Sequence, residues 1–162
     1  MGAATVVASA IVFSLVIIIA YIMMGTSLQM IDVVSSAQSE MTESQEERLR
    51  SSIEIYNSSI DTLPSRVYVY ITNSGSETLK DFKYWDVYII DTISEDPVLC
   101  TYTTESSGNN VWNITNIWPD YINPGLLDPE ENASITIWCQ NGPSKWVKIT
   151  TPTGVSDSWF VL

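Results

Sequence analysis

The first charged residue of the chain is Asp32, so the first 31 positions carry no charge at all. Within this stretch the 22 residues Ala3–Met24 are apolar apart from small hydroxyl side chains. That run exceeds the roughly 20 residues that a helix needs to cross the hydrocarbon core of a bilayer. We therefore predict a hydrophobic transmembrane helix over residues 1–25, with the N-terminus cytoplasmic and the C-terminus outside. The alternative is a cleaved secretory signal, although a positive N-terminal region and a small-residue cleavage site are not evident.

The rest of the chain is strongly acidic. It carries 19 acidic and 7 basic side chains, which gives a net charge of −12 and a pI near 4.1. This balance argues against nucleic acid as a partner, because a binding surface must neutralise phosphates with clustered Lys and Arg. The chain also has no histidine, the commonest general base and a frequent metal ligand. We predict a protein that is not an enzyme and that holds no cofactor.

Residues 26–52 contain neither proline nor glycine, which favours a helix. Glu46 and Glu47 precede Arg50 by the three or four positions that allow local pairing on a helix. We predict a helical stalk that separates the rest of the chain from the bilayer, and a partly disordered linker is the alternative. The residues placed near one side of this helix are Leu28, Ile31, Val34, Gln38, Met41 and Leu49.

After Ser52 the sequence changes to short runs rich in Val, Ile, Tyr, Trp and Thr, separated by Pro, Gly, Asn and Asp, which is typical of β-strands. In one run Val67, Val69 and Ile71 project to the same face. Residues 53–162 are therefore predicted to form an all-β, immunoglobulin-like antiparallel sandwich after the N-terminal hydrophobic α-helix and helical stalk. The predicted strands are Ile53–Ile60, Arg66–Thr72, Tyr84–Ile90, Val98–Thr103, Val111–Ile114, Ser134–Gln140, Trp146–Thr151 and Ser158–Leu162.

The two cysteines, Cys100 and Cys139, fall in predicted strands, and Cys139 shares a face with Ile135 and Ile137. If the domain lies outside the membrane, we expect one disulfide that closes a loop of about 40 residues. Two buried thiols are the alternative, since free cysteine packs as a small hydrophobic residue.

Three sequons of the type Asn-X-Ser/Thr also favour an extracytoplasmic domain. They begin at Asn57, Asn113 and Asn132, and none has proline at the middle position. These three asparagines are candidate glycosylation sites.

Acidic residues cluster loosely in the middle of the chain, but no calcium-binding loop pattern of alternating Asp residues followed by Gly is present. A solvated acidic face is the simpler interpretation. The residues concerned are Asp81, Asp86, Asp91, Glu95 and Asp96.

Several short motifs occur together in this chain. The most specific is the strand and turn Tyr68–Leu79, followed by Asp86-Val-Tyr88 at the start of a later strand. The others are the turn Leu127-Asp-Pro-Glu-Glu131 before an alternating Ile strand, the Met1-Gly2 start, Ala10-Ile-Val-Phe13 in the helix and Ser52-Ile-Glu-Ile55. Together they resemble the FlaF/FlaG accessory proteins of the archaellum and, more broadly, the archaellin superfamily. The Met1-Gly2 start looks closer to FlaF.

The resemblance implies a membrane-anchored, stator-like protein of the archaeal motility structure, located in the archaeal cell envelope with its β domain outside. Its partners would be the surface-layer protein or other archaellar proteins. The alternative is an archaellin- or pilin-like subunit that polymerises into an extracellular filament through its N-terminal helix. The resemblance implies a short basic leader in filament-forming members. No such leader precedes Met1, so the chain is either an uncleaved accessory protein or one that begins after processing.

The two functions make different use of the same helix. A helix that is apolar on every face fits either lipid or a filament core made of copies of itself. Small residues allow close approach of helices and favour self-association; the candidates are Ala3, Ala8, Ala10 and Ser14. Partner contacts are expected at exposed strand edges and in the aromatic segment that contains Trp112, Trp118 and Tyr121. A secreted carbohydrate- or calcium-binding module is a third class, and it predicts a mature chain without residues 1–25.

Overall fold

A computed structural model describes residues 2–62, 65–93, 96–105 and 107–161. Within these ranges the chain contains one α-helix, one short 3-10 helix and eight β-strands. It divides into two compact units, one ending at Glu43 and the other beginning at Ser44. The first unit consists of helix, whereas the second contains the last turns of that helix and all the strands.

Helix α1 runs from Gly2 to Arg50 without interruption. The residues of the predicted stalk, 26–52, are therefore helical as far as Arg50 in the structure. Arg48 and Arg50 lie in the last turn, where positive side chains interact favourably with the helix dipole. The predicted local pairing is present as well, because Arg50 Nε lies 3.4 Å from Glu46 Oε1. Both side chains are largely exposed, so this ion pair contributes little stability.

The eight strands agree closely in position with those predicted. A 3-10 helix, Phe82–Tyr84, occupies the predicted start of the third strand. The fifth strand is twice as long as predicted. A β-bulge between Ile114 and Asn116 interrupts the alternation of inward and outward residues, so the second half of this strand does not follow the pattern used for the prediction. Leu162, the predicted end of the last strand, lies outside the described residues. The strands are β1 Ile53–Thr62, β2 Ser65–Asn73, β3 Asp86–Ile90, β4 Val98–Tyr102, β5 Val111–Trp118, β6 Asn132–Trp138, β7 Trp146–Thr150 and β8 Ser156–Phe160.

The strand order is β1-β2-β6-β5-β4-β3-β7-β8. The first four strands correspond to the A-B-E-D sheet of immunoglobulin domains, and the last four correspond to the opposing C-F-G sheet extended by one strand. The predicted immunoglobulin-like sandwich is thus confirmed. One detail of the antiparallel prediction is wrong, since β4 and β5 pair in parallel through Thr101–Val111 and Tyr102–Trp112. This short pairing links the two sheets at one side.

The inner faces of both sheets form one hydrophobic core. Strand β6 lies at the centre of its sheet, between β2 and β5, and sends Ala133, Ile135 and Ile137 inward. On the opposite sheet β3 and β7 supply alternate Val and Ile residues. Burial of these side chains is the main favourable term for folding. The largest fully buried side chains are Trp112, Ile55, Ile71, Ile89, Leu127, Ile135, Ile137 and Ile149.

The end of α1 is held by the turn after β2. The backbone N–H of Ser76 donates to the carbonyl of Arg50 at 2.8 Å, and that of Gly75 donates to the carbonyl of Ser52 at 3.2 Å. A Cβ atom at position 75 would overlap the Arg50 carbonyl oxygen. Glycine is therefore required for the close approach of the two backbones. The Asn-Ser-Gly-Ser segment is thus a docking point for the helix end as well as a turn.

Candidate interaction surfaces

The apolar part of α1 has no cover from its own chain. Every described side chain from Val6 to Met24 is exposed, and these residues lie on all sides of the helix. By length and composition alone, the helix is long and apolar enough to cross a membrane. An all-round apolar helix is stable only where lipid or protein replaces water around it. This segment is therefore a surface that needs lipid or a protein partner.

The small residues predicted to pack helices are exposed on α1. Ala3, Ala10 and Ser14 recur at intervals of seven and four positions, so they share one side of the helix, and Ala8 lies off that line. The hydroxyl of Ser14 donates to the carbonyl of Ala10 at 2.9 Å. Because the helix itself satisfies this hydroxyl, Ser14 can enter an apolar environment at low cost. Packing between helices at these residues stays a prediction.

The predicted aromatic contact segment divides into buried and exposed parts. Trp112 is 0% exposed and packs edge-to-face on Tyr102 in the core, with ring centroids 5.1 Å apart. It is not a contact residue, and that part of the prediction is wrong. In the sequence, Trp112 and Ile114 lie two positions apart in a β-strand and so share one face, which could have indicated that Trp112 points into the core. Trp118 is half-buried on the outer face, and Tyr121 is 85% exposed. These two positions remain candidates for partner contact.

Tyr121 lies in a loop whose backbone is held by carboxylates. Both carboxylate oxygens of Asp120 accept the N–H of Gly125 at 3.1 Å. The backbone N–H and the side-chain amide of Asn123 donate to Asp128 at 3.0 and 2.9 Å. Ile122, next to Tyr121, is 77% exposed. The loop therefore presents two large apolar side chains on an ordered backbone.

Asp128 anchors this loop to the sandwich. Its carboxylate also accepts the hydroxyl of Thr78 at 2.7 Å, and the residue is only 2% exposed. Hydrogen bonds from the Asn123 side chain, and then from Thr78, lower the pKa of Asp128 below its ordinary value of 3.8. The backbone N–H of Asp128 donates to Glu131 Oε2 at 3.0 Å. Asp128 thus has a structural role that its position in a turn did not reveal.

The predicted strand edges are not simply open. β1 and β8 are the two outermost strands of the order. The backbone N–H of Ile55 on β1 donates to Asp157 Oδ2 on β8 at 2.7 Å. This hydrogen bond occupies an edge donor that an added strand would otherwise use. Edge pairing at this point of β1 would first have to displace the Asp157 carboxylate.

A cavity of about 190 Å³ lies beside the last turns of α1 within the second unit. Its apolar wall is formed by Leu79, Trp85 and Pro152. Glu47 and Asp81 also line it. Nothing in its lining resembles the paired nucleophile and base of a catalytic site. Among the residues that the structure describes, no cluster of three or more potential metal ligands is found, and Glu95 lies outside them.

The structure does not contain the predicted disulfide between Cys100 and Cys139. Both residues are free thiols buried in the core. Strand β5 separates β4, which carries Cys100, from β6, which Cys139 follows. The two thiols still lie near enough to interact, because Cys139 adds to the effect of burial on the pKa of Cys100. Burial raises the pKa of Cys100 to about 12 and that of Cys139 to about 11.

The three sequons lie on one sheet. Asn57 is on β1, Asn113 on β5 and Asn132 on β6. Asn57 pairs with Tyr70, and Asn132 pairs with Trp118. Directly paired residues point to the same side of a sheet, and Tyr70 and Trp118 lie on the outer side. Asn57 and Asn132 therefore project outward from the sheet β1-β2-β6-β5. Asn113 does so too, because its partner Thr136 alternates with the inward-pointing Ile135 and Ile137.

The most important structural residue that sequence reasoning missed is Asn73, which is fully buried. Its side-chain amide donates to the carbonyl oxygens of Glu77 and Leu127 at 2.8 and 2.9 Å. Its side-chain oxygen accepts the N–H of Gly75 at 3.0 Å. Asn73 thereby connects the turn that receives α1 to the loop before β6. A turn asparagine seen in sequence indicates local bonding, but not this contact with a residue more than fifty positions away.

Comparison with known proteins gives consistent results. The model of the archaeal-type flagellin family matches residues 3–159. An uncharacterised protein of Archaeoglobus fulgidus is 31% identical over 160 residues, which cover 98% of this chain and 94% of that protein. The match therefore includes both α1 and the sandwich.

Three solved structures share the fold. The stator protein FlaG of Sulfolobus acidocaldarius has a TM-score of 0.53 and 18% identity, covering 67% of this chain and 97% of FlaG. The complex of FlaF and FlaG from the same organism has a TM-score of 0.52 and 21% identity, covering 66% of this chain and 85% of the matched chain. The archaeal flagellum of Methanospirillum hungatei has a TM-score of 0.54 and 20% identity, covering 97% of this chain and 88% of its subunit.

The resemblance predicted from the sequence is confirmed by these matches. The family and its structural neighbours are structural components of the archaellum, which agrees with the prediction that the chain is not an enzyme. The chain belongs to the archaeal-type flagellin family.

Proposed function

We propose that this chain is a structural subunit of an archaellum-type filament, with α1 packed among copies of itself in the filament core and the sandwich on the outside. The observation that carries the proposal is the apolar segment of α1, which is exposed on all sides and continues without a break into the turns that join the sandwich. The family match over residues 3–159 supports it because it includes this helix. So does the fold shared with a filament subunit over 97% of the chain.

The physical argument rests on what can replace water around α1. Copies of the same helix can cover one another on every side, and each added copy buries apolar surface that would otherwise be exposed. A contact that repeats head-to-tail without closing into a ring generates a helical filament. The acidic sandwich, which cannot enter a dry core, is then placed at the outside, where its charge keeps the assembly soluble.

The small-residue side of α1 provides a direct test. The variant Ala10→Phe adds bulk on the side shared with Ala3 and Ser14, and the matched variant Val12→Phe adds bulk on the opposite side. Full-length chain is purified from an archaeal host and examined by electron microscopy. We expect helical filaments from the unmodified chain, a large loss of filaments with Ala10→Phe and a smaller loss with Val12→Phe. Dispersed single particles under all assembly conditions would contradict the proposal.

The second candidate is the membrane-anchored stator predicted from the sequence. The observation that favours it is the shared fold with the stator protein FlaG over 97% of FlaG, together with a helix able to cross a membrane. In this function α1 stays in lipid, and the sandwich contacts the surface-layer protein or another archaellar protein. Cell fractionation separates the two functions. A chain found in the membrane fraction and absent from sheared filaments would support the stator.

A further inference from the structure

We propose that Arg66, on the outer face of the sheet β1-β2-β6-β5, binds a side-chain carboxylate of a second copy of this chain. The guanidinium lies over the ring of Trp138, which holds it in place for this contact. The inference rests on the proposed function, because it requires copies of the chain to lie side by side. It adds to that function a specific binding site and the chemical class of its ligand.

The site is formed by two residues on neighbouring strands. Arg66 on β2 pairs directly with Trp138 on β6. Both side chains point outward, because each residue is next to an inward one, Val67 on β2 and Ile137 on β6. The central carbon of the guanidinium is 5.8 Å from the centroid of the indole ring. Trp138 is only 7% exposed, so its neighbours fix the ring, which gives the cation a rigid platform.

The N–H groups at this site lack acceptors. Arg66 Nε is buried without a hydrogen-bond partner, and so is Trp138 Nε1. These are two of the four such side-chain atoms in the described part of the chain. A buried donor without an acceptor is unfavourable, and more so when it belongs to a charged group. The rest of Arg66 is partly exposed, so a ligand can approach it from solution.

An arginine that stacks on a ring is well suited to a carboxylate. Stacking uses the flat face of the guanidinium, whereas its five N–H groups lie in the plane and point outward from the edge. The two oxygens of a carboxylate match two of these N–H groups, and the opposite charges make the hydrogen bonds shorter and stronger. The aromatic ring also excludes water from one side of the pair, so the attraction is screened less than on an open surface.

The chain itself offers one competing carboxylate at this position. Asp61 on β1 is the residue paired with Arg66 on the other side of β2. The structure contains no ion pair between these two side chains, both of which lie in described strands. Asp61 is therefore the internal competitor, and a test of the site must distinguish it from a carboxylate of another copy.

The charge of the molecule favours a second copy as the partner. Each copy carries 19 acidic and 7 basic side chains, so neighbouring copies repel one another unless a cation at the contact meets a carboxylate. Arg66 is the only basic residue on strands β1, β2, β5 and β6. The same face carries the ring of Tyr70, whose centroid is 6.3 Å from those of Tyr56 and Trp118. Trp, Tyr and Arg are the residue types that contribute most at protein interfaces.

The first experiment identifies the carboxylate by cross-linking. Full-length chain is made in a bacterium, so that no sugar covers the sheet, and is purified in detergent, which covers the apolar part of α1. The variant Arg66→Lys introduces an amine that a carbodiimide joins to a neighbouring carboxylate, whereas arginine forms no such amide. This variant is mixed with isotope-labelled parent chain, and cross-linked peptides are analysed by mass spectrometry. We expect the introduced lysine to be joined to an Asp or Glu peptide of the labelled chain.

The second experiment measures the strength of the contact. The variant Arg66→Gln removes the charge, and Lys83→Gln is the matched control. Lys83 also lies over an aromatic ring, with Nζ 4.6 Å from the centroid of Tyr84, and its loss changes the net charge equally. Sedimentation in detergent at several concentrations should show association at least about 30-fold weaker for Arg66→Gln. The control should stay within about twofold of the parent chain, because exposed charges contribute little.

Each outcome decides between the alternatives. Cross-links from the introduced lysine only to Asp61 of the same chain would overturn the inference, and so would equal association of Arg66→Gln and Lys83→Gln. If Arg66→Gln failed to fold, the cross-links of Arg66→Lys would decide alone. Electron microscopy after removal of the detergent tests the proposed function in the same preparations. Filaments without a cross-link at position 66 would leave that function intact, whereas cross-linked pairs without filaments would leave the carboxylate site intact.

Discussion

Helix α1 and the sandwich contain similar apolar side chains, but those of the sandwich are buried and those of α1 are exposed. Val and Ile residues of the sandwich strands point into a core that their own chain closes on both sides. Val and Ile residues of α1 between Val6 and Met24 are exposed, with no cover from the chain. The sandwich can therefore reach its folded state alone, whereas α1 completes its burial only with lipid or other copies. Folding and assembly are thus assigned to different parts of one molecule.

The largest expected effect concerns the two thiols, which report how well the sandwich closes its own core. Burial raises the pKa of Cys100 to about 12, from its ordinary value of 9.0. Near neutral pH this leaves about 1,000-fold less thiolate than an ordinary cysteine has. We expect a thiol reagent to label Cys100 of the folded chain about that much more slowly, and Cys139, whose pKa is about 11, about 100-fold more slowly. In denaturant without reductant, both cysteines should label at once. If no labelling occurred in denaturant until a reductant was added, the free thiols would be refuted.

A cavity in the core of the sandwich should produce the next largest effect, a loss of free energy of unfolding. Ile135 is fully buried at the centre of β6. The substitution Ile135→Ala is expected to reduce the free energy of unfolding by about 2–5 kcal/mol, since it removes packed methyl groups and leaves a void. Ile93 is 77% exposed, so Ile93→Ala serves as the control and should change the free energy of unfolding by less than about 0.5 kcal/mol. Equal effects of the two substitutions in denaturant unfolding would mean that the sandwich core is not where the structure places it.

The reverse result is expected in α1. The substitution Ile17→Lys places a charge in the apolar segment and should cost about 2.5–3.5 kcal/mol wherever the helix is covered by apolar surroundings. That corresponds to a roughly 100-fold weaker association with membrane or filament, measured by co-sedimentation. The thermal midpoint of the sandwich should stay unchanged, and Ile17→Leu should behave as the parent chain. A lower thermal midpoint of the sandwich would contradict the conclusion that folding and assembly depend on different parts of the molecule.

Gly75 tests the point at which the helix end meets the sandwich. The substitution Gly75→Ala forces the Arg50 carbonyl away from the turn and should cost about 1–3 kcal/mol in unfolding. Gly25, inside α1, has no heavy atom near the place of a Cβ, so Gly25→Ala is the matched control. We expect that control to leave the unfolding of the sandwich unaffected. A neutral effect at Gly75 would show that the helix end is not held at this turn.

The smallest expected effect is the pH dependence that Asp128 contributes. Hydrogen bonds from Asn123 and Thr78 lower the pKa of this carboxyl in the folded state. Its contribution to stability is therefore complete above the unfolded pKa, near 3.8, and is lost as the pH falls through the lower folded pKa. The variant Asp128→Asn should show a smaller loss of thermal midpoint between pH 6 and about pH 3 than the parent chain. Thr78→Val, which removes one donor, should give an intermediate loss, and identical profiles for all three chains would rule out this role.

Local patterns predicted much of the fold. Each of these patterns reflects the geometry of a single element. The uncharged run predicts the apolar helix, the absence of proline and glycine after it predicts the continuation of the helix, and the alternation of apolar residues predicts the strands. Prediction was incomplete where a single element departs from its period. The bulge between Ile114 and Asn116 is such a place, since it breaks the two-residue alternation and the second half of β5 was therefore not predicted.

The candidate surfaces were harder to predict because they depend on which strands become neighbours. Trp112 was expected at a contact surface, yet its ring belongs to the core. Cys100 and Cys139 were expected to bond, yet both are free thiols in the core. The three sequons are visible as motifs, but their common face follows only from the pairing of β1, β2, β6 and β5.

An apolar N-terminal helix, its helical continuation and a set of alternating strands can be inferred from the amino-acid sequence alone, because hydrophobic spacing and the absence of charge act within a few residues along the chain. Three features depend on long-range packing: Gly75 receives the helix end, Asn73 joins two distant loops, and both cysteines are buried as free thiols. These features require strands far apart in sequence to lie side by side, and that arrangement is selected by burial of the whole core rather than by any one segment.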